Sequence, residues 1–154
     1  MTNQDVKNLL QELGFITDIP QSVYTKTYSV CKKTLSEAVD NERINYNKIG
    51  IEVGDKTTSN FSQDENFVVL ECVNRLLEKG YEPEHLMLER KWPVGHGASG
   101  GKVDINVFDR EAKTLIIFEC KTWGREYEKC KQKMQNDGAR LRAQLFSYHK
   151  NNKI

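Results

Sequence analysis

Residues 100–121 of this chain read GGKVDINVFDREAKTLIIFECK and contain two short apolar runs separated by a polar connection. The first run, Val103–Phe108, alternates apolar with polar residues, which is the pattern of a β-strand. The second run, Leu115–Cys120, is apolar almost throughout, as is typical of a strand covered on both faces. The polar connection Asp109–Lys113 would join the two strands into a hairpin. We expect this hairpin to be the centre of the fold.

The hairpin carries charged residues at one end. Asp104 lies in the first strand. Glu119 and Lys121 lie one step apart at the end of the second strand, on the same face because side chains alternate with a period of two. Two carboxylates in this arrangement can share a hard divalent cation such as Mg²⁺, and the backbone carbonyl of Cys120 can supply a further oxygen. Lys121 would then orient a water molecule and offset charge on a phosphate. The alternative is an edge hairpin whose polar ends face water.

Composition sets limits on the class of protein. A chain of 154 residues is long enough for one domain with a sizeable core. Its net charge of +1 is unevenly distributed, since residues 119–154 carry nine Lys+Arg against four Asp+Glu, which suits a phosphate backbone or a solvated helix face. No apolar run approaches 18 residues, so we expect no membrane association. The cysteines form no Cys-x-x-Cys pair and suggest reduced thiols in a cytoplasmic protein: Cys31, Cys72, Cys120 and Cys130.

Two helices are predicted before the hairpin. The first begins near Thr2 and stops at Gly14, and weaker strand patterns such as Val23–Val30 follow it. The second runs from about Ser62 to Lys79, with an apolar stripe at the 3.6-residue period. Glu65 lies three residues after Ser62 and has two interpretations. It either closes a capping box with Ser62 or points an acid at the hairpin site.

The residues after Lys121 predict two more helices, separated by a break at Asn136-Asp137-Gly138. On the second of them, Gln144 and Tyr148 lie four residues apart and border its inward face. These side chains would hold a phosphate, a metal-bound water or Lys121, or they would satisfy backbone groups at the edge of the core. The glycine-rich segment 95–102 is either a close approach for DNA backbone or a flexible turn.

The order of these signals along the chain resembles the RecB-like branch of the PD-(D/E)xK nucleases, which carries a Q-x-x-x-Y motif after the catalytic lysine. Val103 stands where the motif name has proline. The resemblance covers about residues 58–150 and is strongest to the N-terminal nuclease domains of type I restriction enzymes and fused restriction–modification polypeptides. The matching segments are Glu65-Asn66-Phe67, Gly101-Lys102-Val103-Asp104-Ile105, Glu119-Cys120-Lys121-Thr122 and Gln144-Leu145-Phe146-Ser147-Tyr148.

The resemblance implies an α/β fold with a restriction-endonuclease-like mixed central sheet flanked by helices. It places the nuclease domain in residues 58–154. No motif of the family falls in residues 1–57, which we expect to form a small N-terminal α+β extension of unknown role. It implies Mg²⁺-dependent DNA endonuclease activity, with Mn²⁺ as a candidate substitute. The expected partners are DNA and the helicase or translocase and methyltransferase parts of a parent enzyme, from which this chain would be a fragment.

The resemblance also assigns roles to the candidate residues. The catalytic set is Glu65, Asp104, Glu119, Lys121, Gln144 and Tyr148. Metal would be held by Asp104, Glu119 and the Cys120 carbonyl, with Glu65 as an additional candidate. Two alternatives remain open: a vestigial DNA-binding or assembly module, and a repair or junction-resolving nuclease of the same superfamily.

Overall fold

A computed structural model describes residues 3–17, 23–29, 32–38, 43–91 and 101–136. In these ranges the chain is a mixed α/β structure with two four-stranded sheets and three helices. The helices are α1 (Asn3–Glu12), α2 (Asp64–Glu78) and α3 (Arg125–Asn136). The strands are β1 (Ile16–Thr17), β2 (Val23–Tyr28), β3 (Lys33–Ala38), β4 (Arg43–Ile44), β5 (Glu52–Val53), β6 (Leu86–Lys91), β7 (Lys102–Phe108) and β8 (Thr114–Phe118). None of the helices in these ranges has the length and apolar character needed to cross a membrane.

The sheet that carries the predicted site has the strand order β5-β6-β7-β8 and is mixed. β5 pairs in parallel with β6, and the other two pairings are antiparallel. The predicted hairpin is present, with Ile105 opposite Phe118 and an irregularity between Val107 and Phe108. The α/β class expected from the sequence is therefore confirmed, and the restriction-endonuclease-like arrangement stays a prediction.

The two strands of this hairpin differ in burial, contrary to the sequence prediction. In β7 every residue from Val103 to Val107 is buried, including the polar residues at alternate positions. In β8 no residue is fully buried, and Leu115 is exposed. The expectation that the second run is covered on both faces is therefore wrong. β8 forms the edge of its sheet, so its outer side is covered less completely than that of β7.

The N-terminal part of the chain forms a second, antiparallel sheet in the order β1-β2-β3-β4. The first predicted helix and the strand at Val23–Tyr28 are confirmed, and Gly14 takes a positive φ of 82° just after α1. β3 was not predicted, because Leu35 is the only large apolar residue in Lys33–Ala38 and gives no alternation.

Helix α2 connects the two sheets through one continuous core. Its buried side includes Leu70, Val73 and Leu77, which share a core with residues of both sheets. At its C-terminal end, buried Asn74 accepts hydrogen bonds from Tyr28 Oη at 2.9 Å and Lys26 Nζ at 2.8 Å. The helix thereby fixes the N-terminal sheet on one side and presents its first turn to the predicted site. The boundary predicted between residues 57 and 58 stays a prediction, although side chains from both parts share this core.

Candidate active site

Three separate elements bring charged side chains together at the end of the mixed sheet. Asp104 is the third residue of β7, Glu65 lies in the first turn of α2, and Glu119 and Lys121 lie in the segment that follows β8. We call these four residues the acid–lysine cluster. They line a cavity of about 320 Å³ together with residues from 57–69 and with Glu89 and Lys102. The structure thus brings together all the predicted site residues that fall within its described ranges.

Lys121 is the centre of the cluster. Its Nζ lies 2.8 Å from Glu65 Oε1, 2.9 Å from Glu119 Oε1 and 4.0 Å from Asp104 Oδ2. The same Nζ donates a hydrogen bond to the carbonyl oxygen of Cys120 at 2.7 Å. The side chains of Glu119 and Asp104 are 6% and 12% exposed, whereas those of Lys121 and Glu65 are 23% and 36% exposed. The cluster therefore has an enclosed acidic side and an open side that a ligand can reach.

Asp104 is held by the backbone of the loop beside it. Its Oδ2 accepts a hydrogen bond of 2.5 Å from the backbone N–H of Cys120. This bond fixes the segment after β8 against β7 and places Glu119 and Lys121 on either side of the bonded residue. One oxygen of Glu119, Oε2, is buried and has no hydrogen-bond partner among the described residues. Leaving a buried acceptor unsatisfied costs about 1–3 kcal/mol, which favours a functional reason for its presence.

Glu65 does not form the capping box that was one interpretation of the sequence. Helix α2 is preceded by Gln63, whose side chain makes no capping hydrogen bond. Ser62 donates instead to Oδ1 of Asn60, through its backbone N–H at 2.9 Å and its Oγ at 2.5 Å. Since Asn60 engages Ser62, the carboxylate of Glu65 is directed to Lys121. The capping interpretation is wrong. The structure places the Glu65 carboxylate at the hairpin site, as the alternative interpretation predicted.

Sequence reasoning missed a further acid–lysine pair in the same cavity. Glu89 is buried in β6 and forms an ion pair with Lys102 of β7. It has a positive φ of 54°, which is rare for a residue with a side chain, and the β6–β7 pairing lacks a partner for it. A Cβ atom on Gly54 would lie 2.6 Å from the Glu89 carbonyl oxygen, so this close approach needs glycine at the position that follows β5. The sequence carries only a weak signal of it, the end of the apolar run Leu86–Leu88 at Glu89.

Burial and charge set the protonation of the cluster. Burial is the largest influence on Asp104, and it raises the pKa of this carboxyl although the Cys120 N–H and Lys121 act in the opposite direction. Burial likewise raises the pKa of Glu119 above its ordinary value. For Lys121, burial alone would lower the pKa, but the hydrogen bonds with Glu65 and Glu119 outweigh it and the pKa is raised. Lys121 is therefore a cation at neutral pH. Burial disfavours the charged forms of the two buried carboxylates.

The donor atoms of the cluster fit a hard divalent cation. Within the described ranges, no group of three or more His, Cys, Asp and Glu side chains is placed to hold a metal ion. The predicted metal set needs only two carboxylates, Asp104 and Glu119, with the carbonyl of Cys120, and Mg²⁺ is commonly held by one or two carboxylates with several waters. These atoms are all oxygens, and the buried Oε2 of Glu119 lacks a hydrogen-bond partner in this part of the structure. The metal assignment stays a prediction that this donor set supports.

The remaining predicted site residues lie outside the described ranges. Gln144 and Tyr148 fall in 137–154, and most of the glycine-rich segment falls in 92–100. Cys72, Cys120 and Cys130 are free thiols, and the side chains of Cys72 and Cys120 are hydrogen-bonded to each other. Cys31 lies outside the described ranges.

No family model, curated protein or solved structure matches this chain.

Proposed function

We propose that this chain is a metal-dependent DNA endonuclease domain with a restriction-endonuclease-like fold, of the PD-(D/E)xK type. The observation that carries the proposal is the convergence of Glu65, Asp104 and Glu119 on Lys121 from three different elements. An acid on one strand and a Glu-x-Lys segment after its neighbour match the residue order of that motif. The proposed reaction is hydrolysis of a DNA phosphodiester bond.

The proposed roles follow from the contacts of each residue. Asp104, Glu119 and the carbonyl of Cys120 would hold Mg²⁺, or Mn²⁺ in its place. When bound, the ion would supply Lewis-acid stabilisation of charge on the phosphate. Lys121 would donate hydrogen bonds to the attacking water or to a phosphate oxygen, because its raised pKa keeps it protonated.

Glu65 is proposed as a positioning residue. Its carboxylate accepts a hydrogen bond from Lys121 at 2.8 Å and lies on a helix that is fixed by its buried side. Lys121 also contacts Glu119, so its ammonium group is held between two carboxylates from two elements. Such support restricts the lysine to the side of the cavity where the substrate would lie. In this proposal Glu65 also assists through water or metal.

The alternative of a purely structural ion cluster explains the geometry less well. A structural cluster gains stability when every buried polar atom has a partner. Here the buried Oε2 of Glu119 has none among the described residues, and burial raises the pKa of both Glu119 and Asp104. The cluster thus carries acids that the isolated chain stabilises incompletely, which is common at functional sites.

The wider context is proposed on the resemblance alone. The domain would act in the cytoplasm as part of a type I-like restriction–modification enzyme. Helicase or translocase and methyltransferase parts of that enzyme would deliver the DNA. Gln144 and Tyr148 would steady the site or grip the DNA backbone.

The test is nicking of supercoiled plasmid by the purified chain in Mg²⁺, in Mn²⁺ and in EDTA, beside the variant Asp104→Asn. We expect metal-dependent nicking by the parent protein and at least a hundredfold slower nicking by the variant, the size of effect typical when one group acting in the transition state is removed. A linear duplex and a four-way junction of equal length separate a general endonuclease from a junction-resolving enzyme. DNA binding without nicking in any metal would favour the vestigial binding module and refute the proposal.

A further inference from the structure

A second cavity of about 560 Å³ lies beside the acid–lysine cluster. It is lined from two stretches, 43–48 and 56–62, so residues of the N-terminal part of the chain form most of its wall. Among the residues that the structure describes, the lining contains basic, amide and hydroxyl side chains and no acidic residue. We call it the basic cavity. Its composition is opposite to that of the neighbouring cavity, which four acidic residues line.

The basic side chains of this cavity have no neutralising partner among the described residues. Arg43, Lys48 and Lys56 line it, and none of these side chains makes a hydrogen bond or an ion pair with any residue that the structure describes. Most other lysines near the two cavities are paired, as Lys102 is with Glu89 and Lys91 is with Asp55. Three unpaired cations around one concave surface produce a positive potential that attracts an anion.

The wall between the two cavities is fixed to the helix that carries Glu65. Residues 56–60 contribute to both cavities, with Lys56 facing one and Thr57 facing the other. Asn66, which is buried beside Glu65, donates hydrogen bonds to the carbonyl oxygens of Thr57 at 2.8 Å and Asn60 at 3.0 Å. A ligand that spans this wall therefore reaches the acid–lysine cluster and the basic cavity at the same time.

We propose that the basic cavity binds phosphate groups of the duplex whose scissile phosphate lies at the acid–lysine cluster. This inference rests on the proposed nuclease function and gives the N-terminal residues a role in substrate binding. The cations Arg43, Lys48 and Lys56 neutralise successive phosphates of the backbone. Amide and hydroxyl groups such as those of Asn47 and Ser59 suit the same ligand, since contacts to DNA phosphates come largely from basic and small polar side chains.

The lining favours the DNA backbone over a free nucleotide. Tyr46 is the one aromatic residue among the described residues that line the cavity, and it is 1% exposed, so its ring is not offered for stacking on a base. The other large apolar residue of the lining, Ile44, is buried as well. A site that offers positive charge but no surface for stacking binds the phosphate groups of DNA and does not distinguish its bases. Binding at this cavity is therefore independent of DNA sequence.

The experiment measures binding of the full chain to a fluorescent 30-base-pair duplex in EDTA at several salt concentrations. The test variant is Lys48→Gln/Lys56→Gln. The matched control is Lys7→Gln/Lys79→Gln, which removes the same charge from α1 and from the residue that follows α2. Since each phosphate contact contributes about 0.9 to the slope of log K against log salt, we expect the test variant to lower the slope by about 1.8 and the control to leave it unchanged. Thermal melting shows whether each variant is folded. If the double variant does not fold, the single variants Lys48→Gln and Lys56→Gln are measured instead, and each should lower the slope of log K against log salt by about 0.9.

Equal slopes for the parent, the test variant and the control would overturn this inference. So would binding of a nucleoside triphosphate as tight as that of the duplex and lost in the test variant, because the cavity would then be a nucleotide site. Plasmid nicking by the parent, measured separately, reports on the nuclease proposal. Nicking together with equal slopes would leave the nuclease function intact and remove the basic cavity from DNA binding.

Discussion

Replacing Lys121 with Met removes the positive charge at the centre of the acid–lysine cluster while keeping a long apolar side chain. Lys121 contacts Glu65 and Glu119 directly and lies 4.0 Å from Asp104. Because Lys121 lies after the end of a strand and not in the core, its position alone suggests that the variant is as stable as the parent. The contacts suggest otherwise, because the variant leaves two carboxylates buried without a counter-ion.

The magnitude follows from the exposure of the partners. Removing one partner of a fully buried ion pair costs about 3–5 kcal/mol, whereas an exposed pair contributes about 0–1 kcal/mol. Glu119 and Asp104 are nearly buried, but the side chains of Lys121 and Glu65 are 23% and 36% exposed. We therefore expect Lys121→Met to lower the free energy of unfolding by about 2–3 kcal/mol. For a chain of this size, that is a fall in Tm of about 5–10 °C.

The assay is thermal melting in EDTA across pH, with Lys113→Met as the matched control. Lys113 pairs with Glu111 at 2.6 Å, but both side chains are more than 70% exposed, so its loss should shift the Tm by less than about 2 °C. The deficit of Lys121→Met should shrink as the pH falls, because Asp104 and Glu119 have raised pKa values and protonate first. Equal melting of the two variants at pH 7 would refute the claim that Lys121 neutralises buried acids.

The other expectations concern individual contacts. Glu65→Gln should change the free energy of unfolding by less than about 1 kcal/mol, since this pair is partly exposed, yet slow DNA cleavage at least about tenfold; unchanged cleavage would exclude a role for the carboxylate. Asp104→Asn should raise the Tm of the metal-free protein at neutral pH. The folded-state pKa of Asp104 is raised, so the parent protein loses stability as the pH rises through the interval between its unfolded and folded pKa values, and Asn does not titrate. If the Tm of Asp104→Asn still exceeded that of the parent at a pH below the unfolded-state pKa of Asp104, the titration of Asp104 would not be the cause. Tyr28→Phe should cost about 1 kcal/mol in urea melts by removing the buried hydrogen bond to Asn74. Tyr81→Phe should cost less, because the Tyr81 hydroxyl makes no hydrogen bond with any residue that the structure describes.

The hairpin and α2 were predictable because their patterns are local. Alternation in Val103–Phe108 and the 3.6-residue stripe of α2 both follow from which side chains are apolar, and the structure contains both elements. β3 was not predictable, since Lys33–Ala38 contains one large apolar residue and depends on pairing with β2 along its whole length. Pairing between strands is a tertiary interaction, and a short polar stretch has no local sequence pattern that predicts it.

The site was predictable in its residues but only partly in its contacts. The positions of Asp104, Glu119 and Lys121 followed from the residue order, and their proximity is what the structure shows. The contact that the Glu65 carboxylate makes could not be predicted, because it depends on the hydrogen bonds between Ser62 and Asn60. Glu89 was missed for a related reason. Its placement in the cavity depends on a distorted backbone and on close packing against another strand, and neither leaves a clear pattern in sequence.

The most direct test of the account is single-turnover cleavage of a DNA duplex in saturating Mg²⁺ by Glu119→Gln beside Glu111→Gln. Both changes remove one carboxylate at nearly constant shape, but Glu119 is almost buried in the acid–lysine cluster and Glu111 is exposed in the turn before β8. The account predicts cleavage by the parent and by Glu111→Gln at equal rates, and a rate at least about a hundredfold lower for Glu119→Gln. Equal rates for the two variants, or no Mg²⁺-dependent cleavage by the parent, would contradict it.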